Sequence, residues 1–97
     1  MRILFLGGTR FMGRALAVRL IEHGHRVTVF SRNRNGAPDG AEFRLVERSS
    51  GIPPDVLPSD FDVVIDTTGY TEQAVSSTLA AFPRSRYIFI SSTWVVR

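Results

Sequence analysis

The apolar positions of the chain fall into short uninterrupted runs separated by stretches with a helical repeat. Residues 3–6 are all apolar and stop at Gly7-Gly8, which predicts a strand buried on both faces of a parallel sheet. In residues 11–23 the apolar positions recur at helical spacing, which predicts an amphipathic helix ending near Gly24. Residues 26–30 are rich in β-branched side chains and predict a second strand, followed by a polar loop.

The middle of the chain predicts two further strands and an irregular connection between them. Residues 43–46 form a short third strand, and residues 62–66 form a fourth in which charged ends bracket three apolar positions. Three prolines lie between these strands and prevent a long regular helix, because proline lacks the amide hydrogen that a helix interior needs. Pro54 can still open a single turn through residue 57.

A second helix is predicted between Thr71, which can cap its first turn, and Pro83, which stops it. Its apolar positions repeat at helical spacing and are Val75, Leu79 and Phe82. A fifth strand follows at residues 86–91. Strands that alternate with helices imply right-handed crossovers, so the expected fold class is α/β: one Rossmann-like domain, residues 1–97, with a doubly wound parallel sheet of about five strands and helices on both faces.

Composition removes several classes of site. The chain has 97 residues, an apolar fraction of 43% and no cysteine, so we expect a globular domain without disulfides or thiolate metal sites. All 12 basic residues are arginines, which excludes a Schiff-base lysine. His23 and His25 flank Gly24 and are interpreted as helix-capping residues rather than metal ligands. The absence of cysteine leaves the redox compartment open and favours the cytoplasm. No apolar segment approaches the roughly 20 residues that span a bilayer, so a protein without membrane contact is expected.

The glycine-rich segment after the first strand carries the main chemical signal. It reads Gly7-Gly8-Thr9-Arg10-Phe11-Met12-Gly13 and opens the first helix. Gly7 would supply a tight turn and Gly13 would let the helix pack against the sheet, while the amides from Thr9 to Met12 would face a pyrophosphate. Such a turn can be a plain connector, but its position between a strand and a helix favours a dinucleotide site.

The end of the second strand bears on the choice of cofactor. An NAD site usually places a carboxylate there, about 20 residues after the glycines, to bind the ribose hydroxyls. Here the residues are Ser31 and Arg32, and a guanidinium pairs well with a 2′-phosphate. The sequence therefore favours NADP, with NAD possible. Arg10 could add a second positive charge, lie over the adenine or face solvent.

Residues 6–14, 29–32 and 62–70 together resemble the NAD-dependent epimerase/dehydratase family, the extended or atypical branch of the short-chain dehydrogenase/reductase superfamily. The resemblance covers nearly the whole chain but corresponds only to the N-terminal part of that family's longer cofactor domain. The chain departs from the family pattern at Arg10, where the family commonly has a glycine. It also departs at Arg97, where a glycine often follows the family's serine-rich stretch. It also carries Glu47-Arg48 where an Asp commonly precedes the adenine contact.

The resemblance also implies roles for residues at the ends of the later strands. Those expected beside the cofactor are Thr67, Thr68, Gly69 and Ser91. Ser92, or alternatively Thr93, matches the hydroxyl that hydrogen-bonds the substrate. The family's Tyr-x-x-x-Lys pair, which performs proton transfer, has no counterpart, because the chain has no lysine and both Tyr70 and Tyr87 precede the serine. Ser92 is therefore expected to be vestigial or part of an incomplete catalytic site.

Three functional hypotheses follow. The first is a truncated NADP-dependent reductase or nucleotide-sugar epimerase/dehydratase, inactive alone. The second is a non-catalytic module that senses NADP(H) or binds a partner. RNA binding is a third, because some relatives have that property and residues 31–35 are basic, but the arginines are otherwise scattered over a chain of net charge +3, so nucleic acid is not the expected partner. An apolar fifth strand at the sheet edge further predicts self-association.

Overall fold

The structure is a computed structural model that describes residues 1–7, 11–32, 38–47, 51–56, 60–67 and 72–90. Its elements, in chain order, are β1 (Arg2–Leu6), α1 (Phe11–Glu22), β2 (Arg26–Ser31), β3 (Glu42–Leu45), β4 (Val63–Asp66), α2 (Glu72–Ala81) and β5 (Arg86–Phe89). All five predicted strands and both predicted helices are present, with bounds that differ from the predictions by at most two residues.

The strands form one parallel sheet with the order β3-β2-β1-β4-β5. The chain starts at the central strand, winds outward to β3, then crosses to β4 on the other side of β1 and winds outward again. This is the predicted Rossmann-like, doubly wound arrangement. The direction of winding reverses between the carboxyl ends of β1 and β4, and open α/β sheets bind ligands at that position.

The two helices cover opposite faces of the sheet. Ile3 and Phe5 of β1 pack in one apolar cluster with Ala17 of α1, whereas Leu4 and Leu6 pack in a second cluster with Phe82, which follows α2. Successive residues of a strand point to opposite faces, so the two clusters lie on opposite sides of β1. Residues 3–6 of β1 are buried on both faces, which explains why they are continuously apolar rather than alternating.

Helix α1 ends in the cap that the sequence predicts. Gly24 has a φ of +86°, its amide donates to the carbonyl of Ile21 at 3.0 Å, and the amide of His25 donates to the carbonyl of Leu20 at 3.1 Å. This pair of hydrogen bonds is the Schellman motif. Nδ1 of His23 lies 2.8 Å from the carbonyl oxygen of Arg19, in keeping with a capping role. Among the described residues, no cluster of His, Asp or Glu could hold a metal ion.

Helix α2 differs from its prediction in the face that it buries. Thr78 is buried at 1% exposure, whereas Leu79, which the repeat placed on the apolar face, is 46% exposed. Thr78 and Phe82 are one helical turn apart and face the sheet together, which turns Leu79 toward solvent. The proposed cap residue of this helix, Thr71, lies outside the described residues.

The connection between β3 and β4 contains the single predicted turn. The amide of Val56 donates to the carbonyl of Pro53 at 3.1 Å. Both terminal nitrogens of Arg44 in β3 donate to the carboxylate of Asp55, at 2.9 and 2.7 Å, and this hydrogen bonding lowers the pKa of Asp55. The turn is thereby held against the edge strand.

Within the described part of the chain, neither helix has the length and apolarity to cross a membrane.

Candidate functional site

Three of the predicted site residues lie side by side at the carboxyl edge of the sheet. Leu6 of β1 is paired with Phe30 of β2 on one side and with Asp66 of β4 on the other. The residues that follow these three, Gly7, Ser31 and Thr67, are therefore neighbours at the point where the winding of the sheet reverses. The topology brings together residues that lie far apart in the sequence.

Gly7 forms the predicted tight turn after β1. Its φ is +79°, in the left-handed region where a side chain would strain the backbone. Its amide donates to the carbonyl of Phe30 at 2.8 Å, which ties the start of the turn to the neighbouring strand. The position thus requires glycine for a conformational reason, as the sequence predicts.

The chain enters α1 within four residues of that turn. Phe11, Met12 and Gly13 are the first residues of this helix, and its first turn contains no acidic side chain. The free amides of a helix N-terminus carry a partial positive charge, and no carboxylate in this turn offsets it. The backbone here therefore suits an anionic group such as a pyrophosphate. Thr9 and Arg10, which the sequence also places at this site, lie outside the described residues.

Thr67 joins the ends of β1 and β4. Its amide and its hydroxyl both donate to the carbonyl oxygen of Leu6, at 3.1 and 2.9 Å respectively. Because the hydroxyl hydrogen is used in that bond, the Thr67 oxygen can accept a hydrogen bond from a ligand but cannot donate one. The remaining residues predicted for this side of the site, Thr68, Gly69, Ser91, Ser92 and Thr93, lie outside the described residues.

Ser31 and Arg32 occupy the end of β2. The carbonyl of Ser31 accepts a hydrogen bond from the amide of Val46 at 3.0 Å, which aligns the chain after β2 with the chain after β3. The side chain of Arg32 is 79% exposed, and its Nη1 lies 4.0 Å from Oε2 of Glu47. The predicted phosphate-binding arginine is therefore accessible, but it has a carboxylate beside it that the sequence analysis did not connect with it.

The site also rests on a buried contact that the sequence analysis missed. Asp66, the last residue of β4, is fully buried, and the hydroxyl of Tyr87 in β5 donates a hydrogen bond to its carboxylate. The available signal was a carboxylate closing an apolar strand, a position where burial demands a hydrogen-bonding partner. The contact gives the Tyr87 hydroxyl a structural partner.

An open groove of about 360 Å³ lies elsewhere, on the face of β2 and β3 next to the turn at Val56. Two of its charged side chains, Arg44 and Asp55, are bonded to each other, which leaves them less available to a ligand. Of the residues predicted for the cofactor site, none that the structure describes lines this groove. The carboxyl edge, which carries the glycine turn and the helix amides, is therefore the better candidate site.

Fold and site together define a dinucleotide-binding domain of the Rossmann type. The family model of the NAD dependent epimerase/dehydratase family matches residues 3–89, and the chain belongs to that family. The group that this membership implies is a nicotinamide dinucleotide. The positive φ of Gly7 and the acid-free first turn of α1 fit such a group, because both allow a pyrophosphate to approach the backbone.

The chain is similar to longer proteins. It is 31% identical over 112 aligned positions to the chloroplast stem-loop binding protein of 41 kDa b of Arabidopsis thaliana, covering 97% of this chain and 30% of that protein. A Streptococcus pneumoniae protein assigned as an NADH-flavin reductase superposes with a TM-score of 0.68 at 18% identity, covering 94% of this chain and 46% of that one. Vestitone reductase from alfalfa superposes with a TM-score of 0.60 at 20% identity, covering 93% and 35%.

These similarities have different weight. The two structural matches are below 25% identity and show the fold alone. The family match shows membership, and the chain spans about a third of the length of the curated relative that it resembles. A reaction, a substrate and a choice between NADP and NAD therefore have to be argued from this chain's own residues.

Proposed function

We propose that this chain is the cofactor-binding part of an NADP-preferring reductase or nucleotide-sugar epimerase/dehydratase and is catalytically incomplete by itself. The observation that carries the proposal is the position of Arg32. This exposed arginine follows β2, which neighbours β1 and its glycine turn, while Thr67 follows β4 on the other side of β1. The proposed incompleteness is supported by the composition, because the lysine of the family's Tyr-x-x-x-Lys pair is not among these 97 residues.

The residues at the carboxyl edge would divide the binding of a dinucleotide among them. The Gly7 turn and the first amides of α1 would hold the pyrophosphate. The oxygen of Thr67 would accept a hydrogen bond from the cofactor on the β4 side. A nicotinamide dinucleotide supplies hydride transfer, which the protein side chains do not provide.

Arg32 is the residue from which we infer that the site prefers NADP. A guanidinium donates two parallel hydrogen bonds to phosphate oxygens, and hydrogen bonds between charged groups are about twice as strong as neutral ones. NAD lacks the 2′-phosphate and gains nothing from this contact. We therefore expect Arg32→Ala to weaken NADP binding by about 10-fold, or roughly 1.4 kcal/mol, and to change NAD binding little.

The test is a calorimetric titration of the purified chain with NADP and with NAD. Arg26→Ala is the matched control, because Arg26 starts the strand that Arg32 follows and is also an exposed arginine paired with a glutamate, at 3.6 Å. Loss of NADP preference in Arg32→Ala but not in Arg26→Ala supports the proposal. A wild-type chain that binds neither nucleotide refutes it, and equal losses in the two variants refute the role of Arg32.

A second candidate function is favoured by the relative whose name describes stem-loop binding. Arg2, Arg26 and Arg86 begin β1, β2 and β5, and their exposed side chains lie at the amino edge of the sheet, opposite the carboxyl edge. Glu42, which pairs with Arg26, begins β3 at the same edge, so the arginines outnumber the carboxylates at these four strand starts. We propose this edge as the surface that would contact a nucleic-acid stem-loop through its phosphates.

The test of this candidate is the binding of a fluorescently labelled RNA hairpin to the purified chain. We expect the hairpin to bind, and to bind more weakly at higher salt and to the double variant Arg26→Ala/Arg86→Ala. Hairpin binding that does not exceed that of an unstructured strand of equal length would contradict this candidate.

A further inference from the structure

The carboxylate of Glu47 lies beside the proposed phosphate-binding group. Glu47 follows β3, and the hydrogen bond from the amide of Val46 to the carbonyl of Ser31 holds this segment next to the end of β2. Val46 is buried at 8% exposure and anchors the segment in the core. Oε2 of Glu47 consequently lies 4.0 Å from Nη1 of Arg32, with both side chains more than half exposed.

This arrangement has opposite consequences for the two cofactors. A 2′-phosphate bound by Arg32 would bring its negative charges close to the Glu47 carboxylate, which would repel it and compete for the same guanidinium. NAD carries no phosphate there and meets no such repulsion. A positive charge that favours NADP and a negative charge that opposes it are thus held together at one position.

We propose that Glu47 is a specificity-determining residue that limits the preference of this site for NADP, so that the site accepts both NADP and NAD. The inference rests on the proposed function, because it concerns the same cofactor. Selectivity is then set by the Arg32–Glu47 pair rather than by Arg32 alone. Exposed charges interact weakly, so the effect is a moderate change in the ratio of affinities and not a switch.

The test compares Glu47→Gln with Glu42→Gln. Glu42 is the first residue of β3 and pairs with Arg26 at 3.6 Å, so the control removes the same charge from a similar ion pair at the opposite end of the same strand. Calorimetry should show NADP binding about two- to fivefold tighter in Glu47→Gln, with unchanged NAD binding and a smaller gain at high salt. Glu42→Gln should leave the ratio of the two affinities unchanged.

The outcomes separate this inference from the proposed function. If the wild-type chain binds a dinucleotide and both glutamine variants show the same affinity ratio as wild type, the role of Glu47 is refuted while the cofactor site stands. Selective weakening of NAD in Glu47→Gln would also overturn the inference, because Glu47 would then be a ribose ligand. Absence of binding in the wild-type chain would refute the cofactor site itself.

Discussion

The carboxylate of Asp66 is the most demanding single group in the described part of the molecule. It is fully buried at the carboxyl end of β4, which lies between β1 and β5 in the sheet. A buried charge or polar group costs free energy unless hydrogen bonds replace its water, and the hydroxyl of Tyr87 supplies one of these bonds. This hydroxyl therefore supports the strand end from which Thr67 reaches the carbonyl of Leu6.

Tyr87→Phe tests this role, because it removes the hydroxyl and keeps the ring. We expect the free energy of unfolding to fall by about 1–3 kcal/mol, the usual cost of removing a partner from a buried acceptor. Urea unfolding followed by circular dichroism measures the change. Ser85→Ala is the control, since its hydroxyl donates to the neutral carbonyl of Phe61 and its loss should cost less. A smaller cost for Tyr87→Phe than for Ser85→Ala would contradict the importance of the Asp66 contact.

Residues that act through their own backbone or charge could be identified from the sequence. Gly7 is an example, since a glycine at a strand-to-helix turn indicates the positive φ that the structure shows. The place of Arg32 at the end of β2 followed in the same way from the apolar strand before it. The roles of Glu47 and of the Asp66–Tyr87 contact could not be predicted in this way, because each role depends on a partner residue from another strand.

At the scale of elements, the strands and helices were predictable because their patterns are local. A continuous apolar run predicts a strand buried on both faces, as in β1, and an apolar repeat with a glycine at its end predicts a capped helix, as in α1. Helix α2 shows where this reasoning ends. Its apolar repeat predicted Leu79 as a core residue, but Thr78 and Phe82 are the buried residues. Which side of the helix is buried depends on how the helix is rotated about its own axis, and the sheet beneath it decides that rotation.

At the scale of the whole molecule, the outer strand β5 carries exposed apolar side chains. On β5, Ile88 and Phe89 are 42% and 46% exposed on opposite faces, and among the described residues no strand pairs with its outer edge. Exposed strand edges with apolar side chains pair with other chains. This exposure agrees with the basis of the predicted self-association through this edge, which itself stays a prediction.

Light scattering at micromolar concentration tests the association. We expect wild type to form dimers or larger species and Ile88→Lys to shift them toward monomer, because a charge on an edge strand opposes pairing. Leu45→Lys is the matched control, since Leu45 is an exposed apolar residue on β3, the opposite edge strand. A wild-type chain that is monomeric and binds no hydrophobic dye would show that the β5 edge is covered and that the prediction is wrong.

The sequence by itself determined the order of strands and helices, the glycine turn and the family, because each depends on residues that are close together along the chain. The tertiary structure alone decided which strand ends are neighbours and which charges meet. Arg32 and Glu47 belong to different strand ends, and Asp66 and Tyr87 belong to different strands, so both pairs exist only because the sheet orders its strands as β3-β2-β1-β4-β5. Contacts of this kind depend on the distance between atoms in space, and a local hydrophobic pattern does not contain that distance.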